Sequence, residues 1–464
     1  MAFSSVIFLF YFLPVFLAGY YLLPRVWLKN IFLIIVSLLF YFWGAGNLVV
    51  LLPVTGFAAW FFSFLIAKTR YKGLSLLITI LTFVGVLIYF KYLGFIIDNL
   101  IYAGVSGFTP MKPLTTLGVS FFTFQAISYN IDVYRKNKRF EKNPASVMLY
   151  ITMFPQLISG PLVRYQQIEQ QLKQRSFNFS QFSEGVRRFI IGLGKKVLIA
   201  NSLSVLVKQI VDDDVNMISP LVAWVGMIVF AVQIFFDFSG YTDMAIGVGK
   251  MLGFDLPENF NYPYISRSIT EFWRRWHITF SKWIKDYIFN PLAIELRYWG
   301  NTGIFISLVV TFFVCGMWHG PTWNFILWGT VQGVFLGFEE LFLLKYLNRL
   351  KGIAIFYVLF IIVSCLVFFR TSDISHAFSY YAVMFSPSKD GALGLNAFFS
   401  TELAIIFFFG ILFCMPLKLP ERFKTGRKGN IIYALNSTLL IIVFMLSLMR
   451  LVSETYNPFI YFKF

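Results

Sequence analysis

Apolar stretches of roughly twenty residues alternate with short basic stretches along almost the whole chain. That is the pattern of helices crossing a bilayer core about 30 Å thick. Positive charge marks the inner flank of each crossing. Residues 6–23 form the first crossing, with an uncharged outer flank and Arg25 and Lys29 behind it. Residues 31–43 and 51–67 go out and return to Lys68, Arg70 and Lys72. Residues 74–90 leave, and 114–131 come back to a cluster ending at Arg135, Lys136, Lys138, Arg139 and Lys142. Residues 189–207 and 221–238 make the next pair, joined outside by Asp212, Asp213 and Asp214. Then come 303–317, 323–344, 352–369, an external loop over 371–400, 403–416 and 431–449. The pattern predicts an all-α polytopic membrane protein of about 11–12 transmembrane helices, a single integral domain over 1–464 with both ends outside.

Two segments break the alternation. Residues 147–158 are apolar but short, with Lys142 before and Arg164 after. A helix rises ~1.5 Å per residue, so this stretch is too short to cross and reads as a re-entrant element, its backbone broken at Pro155, Gly160 and Pro161. The second is the polar region 239–302, expected on the cytoplasmic side. Within it, Trp273, Trp276, His277, Phe280, Trp283, Ile284 and Tyr287 recur at steps of three and four, predicting one interfacial amphipathic helix over 271–289. His277 lies on its apolar face. Asp237, Ser239, Tyr241 and Asp243 stand at the inner end of the preceding crossing, followed by Asn259 and Asn261.

The stretch with the sharpest chemistry is TFFVCGMWHGPTWNFILWGT, residues 311–330. Two apolar halves meet at Trp318-His319-Gly320-Pro321, where Pro321 cannot continue a helix arriving from its N-terminal side. The outgoing half, 303–317, covers only ~22 Å of a ~30 Å core. The turn is therefore expected inside the membrane, and an ionisable group at that depth is a functional candidate. The third histidine, His376, falls in the external loop and reads as surface.

Composition agrees. The chain is 58% hydrophobic and 13% charged, which excludes a soluble domain of any size. Its net charge of +17 is what cytoplasmic loops accumulate, with a share left for a polyanionic ligand or anionic lipid, and does not require nucleic acid. Cys315, Cys365 and Cys414 each lie inside an apolar run and are expected buried and unpaired. The first residues lack a basic leader and a small-residue cleavage site, so they read as an uncleaved span.

Several stretches, in order, then resemble one family. They include MAFSSVIFLF at the start, GVSFFTFQAISYNIDVYR at 118–135 and MFPQLISGPLVRY at 153–165. GLGKKVLIANSL at 192–203, the run from FDFSGYTDM to WIKDYIFNPL at 236–292, and GMWHGPTWNFILWG at 316–329 complete the set. The sequence is similar to the membrane-bound O-acyltransferases (MBOAT), in the AlgI/PatA-like branch of alginate or peptidoglycan O-acetylation, and more distantly to the DltB proteins. The resemblance implies re-entrant and interfacial helices around a central tunnel. It implies acyl transfer from a cytoplasmic donor, acetyl-CoA, toward an acceptor outside, with no metal. His319 falls on the family's catalytic histidine and His277 on its second one. The basic surface at Arg135–Lys142, Lys195, Lys196, Arg274 and Arg275 suits the donor's phosphates. An extracytoplasmic SGNH-type acetyltransferase is the implied partner, an envelope polysaccharide the indirect acceptor, and the bacterial cytoplasmic membrane the location. Two alternatives stand beside it: D-alanyl or other acyl transfer to a teichoic acid-like polymer, and an acyl-group transporter, although no internal repeat of the transporter kind is visible.

The chain ends YNPFIYFKF. The charge pattern puts this tail, 451–464, outside. It is similar to the tail of a small helper peptide in the D-alanylation system, which makes Tyr461 a candidate acyl carrier; an aromatic interfacial anchor is the alternative.

Overall fold

A computed structural model describes residues 1–111, 117–136, 139–212, 215–347, 349–387, 391–416 and 426–453. Lys138, Asp213, Asp214, most of the basic stretch before residue 426, and the tail with Tyr461 lie outside the described residues. Among those described the secondary structure is helical, with one isolated bridge between Ile218 and Leu393.

Among the described residues, eight helical stretches are long and apolar enough to cross a membrane. The first, Val26–Lys68, carries two of the predicted crossings, joined by a 3-10 turn at Gly46–Val50. Three more predicted crossings fall on shorter helices, Phe8–Leu22, Val119–Tyr134 and Thr401–Phe413. Each predicted crossing is thus helical, and the protein is a multi-pass membrane protein.

The chain forms two compact units, Met1–Phe189 with Met244–Pro257, and Ile190–Asp243 with Glu258–Phe464. In the first unit, α1 (Val26–Ala45), α2 (Leu51–Lys68) and α3 (Val119–Tyr134) surround the short segment 144–158. That segment consists of α4 (Pro144–Thr152) and a single turn, Phe154–Leu157, broken at Met153 and almost wholly buried. Pro155 explains the break, because it can only sit in the first turn of a new helix. The freed amide of Phe154 donates to Ser37 Oγ at 3.1 Å, so the broken backbone is satisfied within the protein. Around Phe154 the rings of Phe12, Phe16 and Phe40 pack at 5.1–5.6 Å. Helices surrounded by lipid gain little from the hydrophobic effect among themselves, so such ring contacts, about 0.5–1.5 kcal/mol each, carry the packing.

In the second unit, α5 (Pro220–Met251) begins and α6 (Ile269–Arg275), α7 (Ile278–Ile284), α8 (Gly300–His319), α9 (Trp323–Phe338) and α10 (Lys351–Arg370) follow. The α8–α9 hairpin is held at backbone contact. A Cβ on Gly316 would meet Phe325 O at 2.2 Å, and one on Gly329 would meet Phe312 O at 2.2 Å. Gly329, Gly333 and Gly337 recur every four residues along this seam, a spacing readable in the sequence.

The structure corrects four expectations. The segment 271–289 is not one helix: it breaks at Trp276-His277, where His277 takes a left-handed backbone at φ +43°. The aromatic face is buried in protein rather than laid on the interface, and that packing outweighs helical continuity. The polar region from Ser239 does not begin where a helix ends, because α5 runs through to Met251 with Ser239, Tyr241, Thr242 and Asp243 buried. The outgoing half of the histidine hairpin is 20 residues, Gly300–His319, or ~30 Å, so its length gives no argument for depth. Within the predicted loop 371–400 lies a helix, α11 (Ile374–Phe385), capped by Asp373 and burying Ala377, Tyr380, Val383 and Met384 at helical spacing.

Candidate active site

His319 is the last residue of α8 and is only 4% exposed. Gly320 is extended, and Thr322 caps α9, its hydroxyl accepting from the amide of Phe325. Gly316 and Gly329 let the hairpin close, and closure sets the imidazole among rings. Trp328 lies 4.9 Å away edge-on, Phe369 at 5.2 Å and Trp318 at 4.8 Å, centroid to centroid. One side faces a narrow cavity lined by Trp273, Trp276, Trp328, Gln332 and Phe369 among others. Trp273 Nε1 donates to Gln332 Oε1 at 3.3 Å, fixing one wall.

His277 is 1% exposed and close to this wall. Its ring packs at 5.0 Å from Phe280 and edge-on at 4.7 Å from Phe238. Phe280 stacks on Trp318 at 4.2 Å and stands 6.1 Å from His319. One phenyl ring therefore separates the two histidines that the sequence singled out, and both belong to the same unit.

The hydrogen bonds of His277 fix its chemistry. Asn259 Oδ1 accepts from the amide of Thr279 at 3.2 Å and from its hydroxyl at 2.8 Å. A backbone amide can only donate, so that atom is the carbonyl oxygen. His277 Nδ1, 3.2 Å from the same oxygen, must then carry the proton, leaving Nε2 with the lone pair. Burial pushes the imidazole down to about 3, so it stays neutral across the physiological range. Asn259 also receives the amide of Ile278 on its backbone oxygen at 2.9 Å, and Asn261 donates to Arg275 O at 2.9 Å. The segment 259–261 thus straps the kink at 275–278. A non-glycine residue at φ +43° costs roughly 1–3 kcal/mol and persists only where neighbours impose it.

Two residues outside the sequence reading position the site. Glu339, fully buried, accepts the amides of Ile269 at 2.6 Å and Thr270 at 2.9 Å and the Thr270 hydroxyl at 2.9 Å. It therefore caps α6, the helix that delivers Trp273 and Trp276. Its signal in the sequence is a carboxylate inside the apolar run 323–344. Gln332 is the other.

Lys195 and Lys196, expected as open positive charge for the donor's phosphates, each face a carboxylate. Lys196 Nζ meets Asp237 at 2.6 Å with both side chains at most 3% exposed, and Lys195 Nζ meets Asp243 at 2.7 Å. Their charge is neutralised internally, which also lets α5 continue through Asp237 and Asp243. Arg275 is paired with Glu271 at 2.8 Å, while Arg274 is exposed. His376 is half-buried, with its Nδ1 3.3 Å from Ser372 Oγ. Cys315, Cys365 and Cys414 are buried and free. Among the described residues no group of His, Cys, Asp and Glu could hold a metal.

A multi-pass helical protein with a buried histidine at the head of a glycine-sealed hairpin defines a class, and the comparisons place it. The membrane-bound O-acyltransferase family matches residues 38–346. The chain belongs to that family and is an acyltransferase. It is 34% identical to a probable alginate O-acetylase of Azotobacter vinelandii, over the full length of both chains. It is also 34% identical to a peptidoglycan O-acetyltransferase of Helicobacter pylori, over 72% of this chain and 70% of that one. To a teichoic acid D-alanyltransferase of Streptococcus thermophilus it is 29% identical, over 50% of this chain and 58% of the other.

Proposed function

We propose that the protein moves acetyl groups from cytoplasmic acetyl-CoA across the bacterial cytoplasmic membrane for O-acetylation of an envelope polysaccharide, peptidoglycan or an exopolysaccharide such as alginate. The observation that carries this is His319 facing an aromatic cavity from the head of the α8–α9 hairpin. The full-length similarity to O-acetylases supports the acetyl group, while the D-alanyl relative covers half the chain.

A hydroxyl attacks a thioester carbonyl only as its proton leaves. His319 takes that proton as general base, the new C–O bond forms, the C–S bond breaks, and the proton passes to the departing thiolate. His277 supports the same event from beyond Phe280, its lone pair on Nε2 and its ring held by Asn259. Tyr461 is the first acceptor in this reading. A phenol's pKa near ~10 is close to a thiol's ~8.5, so an acetyl-tyrosine keeps much of the thioester's reactivity for a second transfer by an extracytoplasmic SGNH-type acetyltransferase.

The test is His319→Ala in cells supplied with labelled acetate. Membrane abundance near wild type with no acetyl in envelope polymer supports the reading; acetylation at the wild-type rate overturns it. Tyr461→Phe keeps an aromatic anchor and removes the nucleophile, so normal acetylation by that variant would remove Tyr461 alone from the scheme.

A further inference from the structure

The first unit holds a second, narrow pocket, away from the histidines. Tyr20, Tyr21, Lys29, Arg175, Asn178 and Lys250 are among its lining residues. Arg175 is built in: Nε donates to Tyr20 Oη at 3.1 Å, the two terminal nitrogens donate to Gln171 O and Asn30 Oδ1, and the guanidinium lies 4.3 Å from the Phe254 ring centroid. Tyr20 itself is 1% exposed and donates to Leu252 O at 2.8 Å. Every acceptor around Arg175 is neutral. Lys29 Nζ sits on the same tyrosines, 5.0 Å from the Tyr20 ring and 5.4 Å from Tyr21.

Two cations thus share one tyrosine, and among the described residues neither forms an ion pair with a carboxylate. The contrast is inside the same wall: Lys250 is paired with Glu184 at 2.8 Å, and Asp255 is turned to Gln181 at 3.2 Å. Like charges held together in a half-buried pocket repel unless an anion joins them. The pocket adds a second attraction. Asn178 on its rim caps the sixteen-residue helix Phe179–Gly194, accepting from the amides of Ser180 at 2.9 Å and Gln181 at 3.2 Å, so the positive end of that helix opens toward the cations. Lys29 also lies in the first turn of α1, at the boundary of a crossing where phosphate groups of lipids are found.

We infer that the Lys29–Arg175 cavity binds a phosphate group, carried either by an anionic lipid headgroup or by a soluble phosphate compound. Arg175 supplies a fixed planar donor and Lys29 a mobile point charge, the pairing that suits a tetrahedral anion. The site is independent of the acetyl-transfer chemistry, which rests on the second unit.

The experiment uses the full-length protein purified in neutral detergent, with native mass spectrometry and titration as readouts. The probes are phosphatidylglycerol, phosphatidylcholine as a zwitterionic control, and inorganic pyrophosphate. Wild type is expected to bind one of the anionic probes, and Lys29→Gln and Arg175→Gln each to weaken it about tenfold or more, the loss expected for one charge-assisted hydrogen bond. Phosphatidylglycerol retained against excess pyrophosphate identifies a lipid site. Displacement by pyrophosphate identifies a soluble ligand. Because Arg175→Gln breaks internal hydrogen bonds, Lys29→Gln decides: among the described residues its ammonium meets only the rings of Tyr20 and Tyr21. Wild-type affinity for both probes in Lys29→Gln, or no binding of either anionic probe by wild type, overturns the site.

Discussion

His277 and Asn259 are locked through one oxygen. Asn259 Oδ1 holds the Nδ1 proton of His277 at 3.2 Å while taking both hydrogen bonds of Thr279. The arrangement dictates which nitrogen can accept a proton, and burial keeps the ring uncharged. Replacing the amide by a carboxylate, Asn259→Asp, retains the acceptors and adds a negative charge that favours imidazolium. The pKa of His277 then rises from about 3, and activity that needs its neutral form falls as pH falls through the new value. Acetyl transfer measured from pH 5 to 8 should be flat in the wild type as far as His277 is concerned and acquire an acid limb in the variant. An unchanged profile would show that His277 is only packed.

The same depressed pKa has a consequence for stability, with a definite sign. Above about pH 6.5 the ring is neutral folded or unfolded and contributes nothing to the pH dependence. Between about 6.5 and 3 the unfolded chain takes up a proton that the native protein refuses, so stability drops as pH falls, by up to about 1.4 kcal/mol per unit. His277→Gln removes this term. Thermal unfolding in detergent at pH 7 and pH 5 should show a smaller acid loss for the variant than for wild type.

The α8–α9 hairpin offers a test of packing. Gly316→Ala and Gly329→Ala each drive a methyl to within 2.2 Å of a carbonyl oxygen on the facing helix. Both are backbone contacts, so the helices must part, at a cost of about 1–3 kcal/mol or more. His319 sits three residues past Gly316 and moves with it. Both variants should lose thermal stability and activity together. Gly352→Ala, with nothing within 4 Å of its new methyl, should be neutral or slightly stabilising.

How much of this was legible beforehand varies with the kind of signal. The crossings were, because a bilayer imposes length and apolarity residue by residue. The break in the buried segment 144–158 was, because Pro155 cannot sit in a helix interior. His319 stood out for the same reason, though on a wrong measure: its helix is long enough to cross, and burial rather than length isolates it. The kink at His277 was not legible. Its aromatic spacing is genuinely helical, and only contacts with Asn259, eighteen residues earlier, turn the backbone left-handed. The pairing of Lys195 and Lys196 was not legible either, because one-dimensional charge counting cannot see Asp243 and Asp237, which lie far off in sequence and against them in space.

That ion pair makes its own prediction. Lys196 and Asp237 are at most 3% exposed and 2.6 Å apart. Lys196→Met strands a buried carboxylate and should cost roughly 3–5 kcal/mol, seen as reduced abundance and lowered thermal stability. Adding Asp237→Leu removes the stranded charge, and the double variant should regain most of the loss. Were Lys196 needed to bind the donor's phosphates instead, the double variant would be stable but inactive at limiting donor concentration, and restored activity there excludes that role.

Glu339 is the last case, a carboxylate without exposure inside a crossing, and its partners define its work. Both oxygens accept, from the amides of Ile269 and Thr270 and from the Thr270 hydroxyl, while Ser268 Oγ accepts the amide of Glu271 at 2.9 Å. Together they satisfy the first amides of α6, which otherwise would be orphaned in an apolar setting. Glu339→Gln preserves shape but offers one acceptor oxygen and an NH2 that must face a donor. The start of α6 should shift, and Trp273 and Trp276 with it, while the histidines keep their own contacts. The expected result is near-normal abundance, a fall in acetyl transfer of about tenfold, and a larger effect on the rate at saturating donor than on half-saturation, as for a positioning residue. Glu339→Asp keeps both oxygens but retracts them by one methylene, so partial recovery relative to Gln is expected. Wild-type activity in Glu339→Gln would show that the cap is not needed to hold the cavity wall.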